Sequence, residues 1–283
     1  MNATPRSRLH PAHASSLGSD HVVDQAWHRY TQAEHALWRR LWERQARLLP
    51  GYACDAFLRH LGLTGSGSAI PRFDSVSSVL RRATGWEIVA VPGLVPDRVF
   101  FQHLSERRFP VTAWLRSIDE FDYIAEPDVF HDFFGHVPLL FDPNFADFMQ
   151  AYGMGGLKAE RLDALECLAR LYWYTVEFGL IRTGHGLRIY GAGILSSGGE
   201  VLHSINARMP RRVEFNLEHV LRTRYNIDRF QDTYFVIDSF ENLVADTASD
   251  FTPLYERIRA LPEIRPDEMI PADVVVQSPH DMK

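Results

Sequence analysis

EPDVFHDFFGHVPLL, residues 126–140, carries two histidines, His131 and His136, five positions apart. At about 100° per residue, five α-helical steps leave the two side chains roughly 140° apart. They meet at one point only where the helix ends or distorts between them. Gly135 and Pro138 stand where such an ending is needed. Phe130, Phe133, Phe134, Val137, Leu139 and Leu140 surround the pair. An apolar shell around neutral imidazoles suits a metal, because it limits water and the metal supplies the polar partner. The spacing is not that of the HExxH zinc helix, and no Glu follows the first His. The plain alternative is a pair of satisfied core histidines.

A third ligand on another element would be an acid, and LARLYWYTVEFGLI (168–181) offers one. Between Leu171 and Ile181, Glu177 is the only charged side chain. A lone carboxylate is costly to bury unless something compensates it, and a divalent cation would. On a helix, Glu166, Arg170, Trp173 and Glu177 share a face, so an ion pair of Glu177 with Arg170 on a solvated surface is the competing possibility. Two His and one carboxylate make the facial triad of non-haem Fe(II) oxygenases. A zinc hydrolase uses the same ligand types, but it also needs a general base that no HExxH glutamate supplies here.

Outside these segments the chain reads as one mainly α domain with a few short β-strands. Its 283 residues are 46% hydrophobic, enough for a large core. Thirty-six acids against thirty bases give a net charge of −6, and no long Lys/Arg run appears, so a nucleic-acid binder is not expected. No apolar run of signal-peptide or membrane-span length occurs, so no membrane association is expected. Two cysteines, Cys54 and Cys167, make no disulfide framework and suit a reducing, cytoplasmic setting. Residues 1–20 are expected to be a flexible N-terminal tail, and residues 263–283 an irregular C-terminal one. A helical pattern starts near Asp24, with Trp27, Tyr30, Ala33, Leu37, Leu41 and Leu48 in step. Further helices are predicted over Pro96–Phe109 and 159–181, strands at 87–93, 188–193 and 233–240, and a loop at 63–73. No βαβ alternation is visible, so a parallel-sheet fold is not expected.

HDFFGHVPLL (131–140), YWYTVEFGL (172–180) and IYGAGILSS (189–197), in this order, resemble the pterin-dependent aromatic amino acid hydroxylases, most of all the short, phenylalanine-using bacterial members. The resemblance runs from about Trp27 to Leu254. It implies the catalytic-domain fold of that family as a single domain over residues 21–262, acting as a monomer. It implies Fe(II), a tetrahydrobiopterin-type cosubstrate and O2, with L-phenylalanine converted to L-tyrosine. Carried over by position, His131, His136 and Glu177 are the iron ligands. Phe100 stacks on the pterin, and Leu94 gives it a backbone contact. Arg116 pairs with the amino-acid carboxylate. Trp173 and Ser196 line the substrate pocket, Tyr172 lies beside the metal, and Asp132 lies near the substrate. Glu126 and Glu200 match supporting acids, whereas His185, His203 and His219 match no ligand position. Ile124 stands where relatives place Thr. Ile227 matches an aliphatic wall that would give a tyrosine hydroxyl no partner.

Overall fold

Thr31 opens the first long helix. Its hydroxyl accepts from Glu34 N, and the Glu34 carboxylate accepts from Thr31 N, a capping box. The helix, α1, spans Gln32–Leu48 and buries Leu37, Trp38, Leu41 and Gln45 along one face. Trp27 and Tyr30, expected inside it, lie ahead of the cap; Trp27 belongs to a separate 3-10 turn, Trp27–Arg29. The structure is a computed structural model and describes residues 18–276. The tail expectations for 1–17 and 277–283 lie outside the described residues.

Helices α2 (Asp55–Leu63) and α3 (Phe73–Thr84) flank the predicted loop. Then come β1 (Glu87–Val91), α4 (Asp97–Ser105) and β2 (Arg108–Thr112). One expectation is corrected here. The helix predicted to reach Phe109 stops at Ser105, because Arg107 turns the chain through a left-handed backbone, φ 57°. The chain from Arg108 then pairs parallel with β1, in register from Glu87↔Arg108 to Val91↔Thr112. Parallel pairing is therefore present, through a crossover of only one short helix.

Asp142 caps α5 (Pro143–Arg161), with Pro143 at its first position. Gly156 lets α5 lie directly on α4: a Cβ there would come within 2.0 Å of the Phe101 ring. The helix predicted over 159–181 is in fact several pieces. The chain breaks after Arg161, with Asp163 at φ 52°, and resumes as α6 (Leu165–Tyr172). It then widens into a π-helical turn, Trp173–Glu177, and leaves as β3 (Leu180–Thr183). The rest is β4 (Gly186–Ile189), α7 (Ala192–Leu195), α8 (Gly198–Asn206), β5 (Arg211–Glu214), α9 (Leu217–Arg222), β6 (Thr233–Ile237), α10 (Phe240–Thr247) and α11 (Thr252–Arg259). One sheet has the order β4-β3-β6-β5, antiparallel only between β3 and β4.

The mainly α reading with a few short strands holds. Residues 263–276 form no helix, yet they are fastened to the body: Ile264 and Val276 donate to the carbonyls of Arg222 and Arg212. Asp273 meets the buried His219 at 2.7 Å. No helix among the described residues is long and apolar enough to cross a membrane. Over the site, the core is aromatic. Trp38 of α1 meets Phe130 and Phe133 edge-on at 5.3 and 5.9 Å, and Phe130 stacks on Phe134 at 4.8 Å.

Candidate metal centre

His131–His136 is a π-helical turn. A π wind closes its hydrogen bonds five residues apart, so positions i and i+5 come round to nearly the same side. The required distortion is thus a wider wind, and not an ending at Gly135. Gly135 serves a different purpose: a Cβ there would sit 2.8 Å from Ala192 Cβ, so the missing side chain lets α7 lie against the turn. Phe130, Phe133 and Phe134 take the opposite side and are fully buried, which anchors the turn in the core.

The second π turn ends at Glu177 and brings its carboxylate to the two imidazoles. Glu177 Oε1 is 3.3 Å from His136 Nε2, and Oε2 is 3.6 Å from His131 Nε2. All three ligand atoms lie within 4.8 Å of one another. Ligand atoms each about 2.0–2.2 Å from one ion sit roughly 3–3.6 Å apart at neighbouring positions, so the donor set fits a divalent cation. His136 Nδ1 is buried without a hydrogen-bond partner among the described residues. Burial alone would raise the Glu177 pKa, but the charges of His136 and His131 outweigh it and hold the carboxyl well below the usual range. Burial pulls His131 down, and Glu177 more than offsets it, so His131 ends above its ordinary value. The surface ion pair is excluded. Arg170 bonds to Glu166 at 2.9 Å, to Glu263 and to the Leu221 carbonyl, whereas the π wind turns Glu177 away from that face.

Ser196 was expected in the substrate pocket; its observed hydrogen-bond partners are a metal-ligand candidate and the backbone. Its Oγ donates to the Ala192 carbonyl at 2.8 Å and lies 2.9 Å from His131 Nδ1. With the serine proton committed, Nδ1 must be the donor, which leaves Nε2 as the nitrogen aimed at Glu177 and open to a metal that displaces its proton. Asp132 is buried and accepts from Thr112 N at 2.8 Å, tying the turn to β2.

Arg116 is buried with its fork already occupied. Nε and Nη2 bond both oxygens of Asp128 at 2.8 and 2.9 Å, and Arg116 N also donates to it. Nη1 alone of the guanidinium nitrogens has no hydrogen-bond partner among the described residues. Asp128 also accepts from His131 N at 2.9 Å, so one carboxylate fixes both the arginine and the start of the ligand turn. The sequence reading missed Asp128. Its signal was an acid three residues before His131, in the capping position of the turn.

Tyr172 stands between His136 and Phe100, with ring centroids 6.1 and 5.7 Å away. Leu94 is 72% exposed in the loop before α4. Trp173 stacks on Tyr225 at 4.3 Å and donates its indole N–H to Gln231, a second residue not anticipated. Glu200 is buried and accepts from Tyr234 and from Gln231 N, consistent with a supporting acid. Ile227 is 73% exposed, so the aliphatic-wall argument loses the burial it needed. His203 and His219 face elsewhere, the one toward the Gln231 carbonyl and the other toward the Asp273 carboxylate.

Comparison with known proteins agrees with this geometry. Residues 20–258 match the family described as biopterin-dependent aromatic amino acid hydroxylase. The chain is 58% identical to a phenylalanine-4-hydroxylase of Ralstonia nicotianae over 93% of its length and 84% of the relative's. Among solved structures, it is similar to the iron- and phenylalanine-bound phenylalanine hydroxylase of Chromobacterium violaceum. The identity is 53%, the TM-score 0.88, and the match covers 92% of this chain and 95% of the other. The cobalt-bound form of the same enzyme matches at 52% identity and TM-score 0.91, over 92% and 95%.

Proposed function

The chain belongs to the biopterin-dependent aromatic amino acid hydroxylases, and on that premise we propose that it converts L-phenylalanine to L-tyrosine with O2, Fe(II) and a tetrahydrobiopterin-type cosubstrate. The observation that carries this is the pair of Nε2 atoms meeting the two oxygens of one partly buried carboxylate. His131, His136 and Glu177 would hold Fe(II) and leave one face of it open. When bound, iron and reduced pterin would together supply the electrons that reduce O2, so that one oxygen atom can enter the aromatic ring.

The protein's own part is binding, orientation and exclusion of water. Arg116 offers Nη1 to the amino-acid carboxylate while Asp128 holds the rest of the guanidinium still. Phe100 would stack on the pterin, with the Leu94 backbone as a second contact. Trp173 walls the substrate side, Tyr172 packs beside His136, and Asp132 holds the ligand turn against β2 near the substrate. Residues 21–262 form the catalytic unit in this reading, and it works as a monomer in the cytoplasm.

The test is aerobic incubation with Fe(II), reduced pterin and equal L-phenylalanine, L-tyrosine and L-tryptophan. Tyrosine, hydroxylated at the para carbon, should be the main product. Glu177→Gln should lose iron affinity by roughly 10-fold or more and nearly all turnover. Full iron occupancy and full turnover in that variant would remove the ligand assignment.

A further inference from the structure

Gln231 is buried and uses each of its polar groups. Its backbone N–H donates to Glu200 at 3.1 Å, and its carbonyl faces His203 Nε2 at 3.2 Å. Its Oε1 accepts the Trp173 indole N–H at 2.9 Å, and its Nε2 donates to the carbonyls of Asn226 and Arg229 at 3.1 and 3.3 Å. A flipped amide would set oxygen against two carbonyls and N–H against N–H, so only one orientation satisfies all three partners. Tyr225 stacks on the indole at an interplanar angle of 14°, and Phe178 meets it at 4.7 Å. The indole is thus held on its face by rings and on its polar edge by one amide. None of the hydrogen bonds of Gln231 reaches His131, His136 or Glu177.

We infer that Gln231 is a positioning residue for the aromatic pocket: its amide locks the Trp173 indole to the 226–229 loop and so sets which aromatic side chains fit beside it. This rests on the reading of Trp173 as a wall of the substrate site. Without the amide, the indole N–H and two loop carbonyls lose their partner, and wall and loop become free to shift against each other.

The experiment is a double-mutant cycle of Gln231→Met, similar in length but without hydrogen bonds, with Trp173→Phe. In the wild-type background the phenylalanine KM should rise roughly 2–12-fold, the value of one neutral hydrogen bond. The preference for phenylalanine over tryptophan should fall, whereas kcat, pterin KM and iron content should change little. In the Trp173→Phe background the same substitution should leave phenylalanine KM nearly unmoved. A second readout needs no turnover: the Trp173 indole N–H resonance, identified by its loss in Trp173→Phe, should shift in Gln231→Met. Equal effects in both backgrounds, or an unmoved resonance, would overturn the inference. If Gln231→Met does not fold, Gln231→Glu takes its place, since it keeps an acceptor for the indole. The carboxylate keeps the indole bond but faces the Asn226 and Arg229 carbonyls without a donor, so the indole resonance should stay close to wild type while the phenylalanine preference falls; an unchanged preference would overturn the inference. A wild-type protein that hydroxylates no aromatic amino acid would remove the functional reading itself, a result distinct from any of these.

Discussion

Ser196 Oγ and His131 Nδ1 lie 2.9 Å apart, and the serine's own proton is already given to the Ala192 carbonyl. The imidazole therefore donates through Nδ1 and keeps Nε2 free to bind a metal. Ser196→Ala removes the acceptor and leaves the ring free to rotate. Iron affinity should fall about 10–100-fold while the fold persists. Anaerobic titration of metal-free protein with Fe(II) measures this, and an unchanged affinity counts against the orienting role.

Phe100 meets Tyr172 edge-on and so has packing work even without a pterin. Stacking on a flat heterocycle contributes about 0.5–1.5 kcal/mol beyond buried area, or roughly 2–12-fold in affinity. Phe100→Ala should raise the pterin KM by that factor with iron content unchanged. A lower melting temperature with no change in pterin KM would assign Phe100 to packing alone.

Arg116 and Asp128 are both buried, with side-chain exposures of 3% and 0%. Removing one partner strands the other charge, which costs about 3–5 kcal/mol. Asp128→Ala should lose stability on that scale in denaturant unfolding, and surviving enzyme should bind phenylalanine poorly. With Asp128 in place, Arg116→Lys should also lose stability, because an ammonium cannot span both carboxylate oxygens. Near-wild-type stability in Asp128→Ala would show that the pair contributes little.

His103, His203 and His219 are each held below the ordinary imidazole pKa, mainly by burial. In the unfolded chain they titrate near 6.5. Below that pH the unfolded state takes up protons that the folded state refuses. Their contribution to stability is therefore complete above about pH 6.5 and is lost as pH falls. His131 runs the other way in the metal-free protein, since Glu177 holds its pKa up. The melting temperature should drop between pH 7.5 and 5.5, and His103→Gln should flatten that slope. A melting temperature that rises on acidification would contradict the assignment.

Much of the site was legible because its motifs are contiguous: two histidines in one turn, one glutamate in an otherwise apolar run. What joins them was not legible. Nothing in HDFFGH or WYTVE distinguishes a π wind from an α one, and the apolar stripe continues across both. For the same reason the helix over 159–181 looked unbroken, although Asp163 interrupts it without a glycine or proline to mark the place. β2 was absorbed into a predicted helix because five residues, one of them Pro110, carry too little alternation to signal a strand. Gln231 escaped because its partner Trp173 lies 58 residues away; Asp128 has a local bond to His131 N, but the arginine it fixes lies 12 residues back and no pattern links the two. Ile227 was aligned to a wall by position, and only its exposure shows that it faces outward.

The widened turn between His131 and His136 also bears on how long that segment must be. Removing one residue between His131 and His136 would return that turn to a four-residue spacing, at which an ordinary α-helix again aligns the imidazoles. The metal pair would survive the deletion. The contact between Gly135 and Ala192 would not, and through Ala192 the serine that orients His131 would slip out of step. A protein shortened by one residue here should still take up metal, yet hold it in a ring no longer aimed.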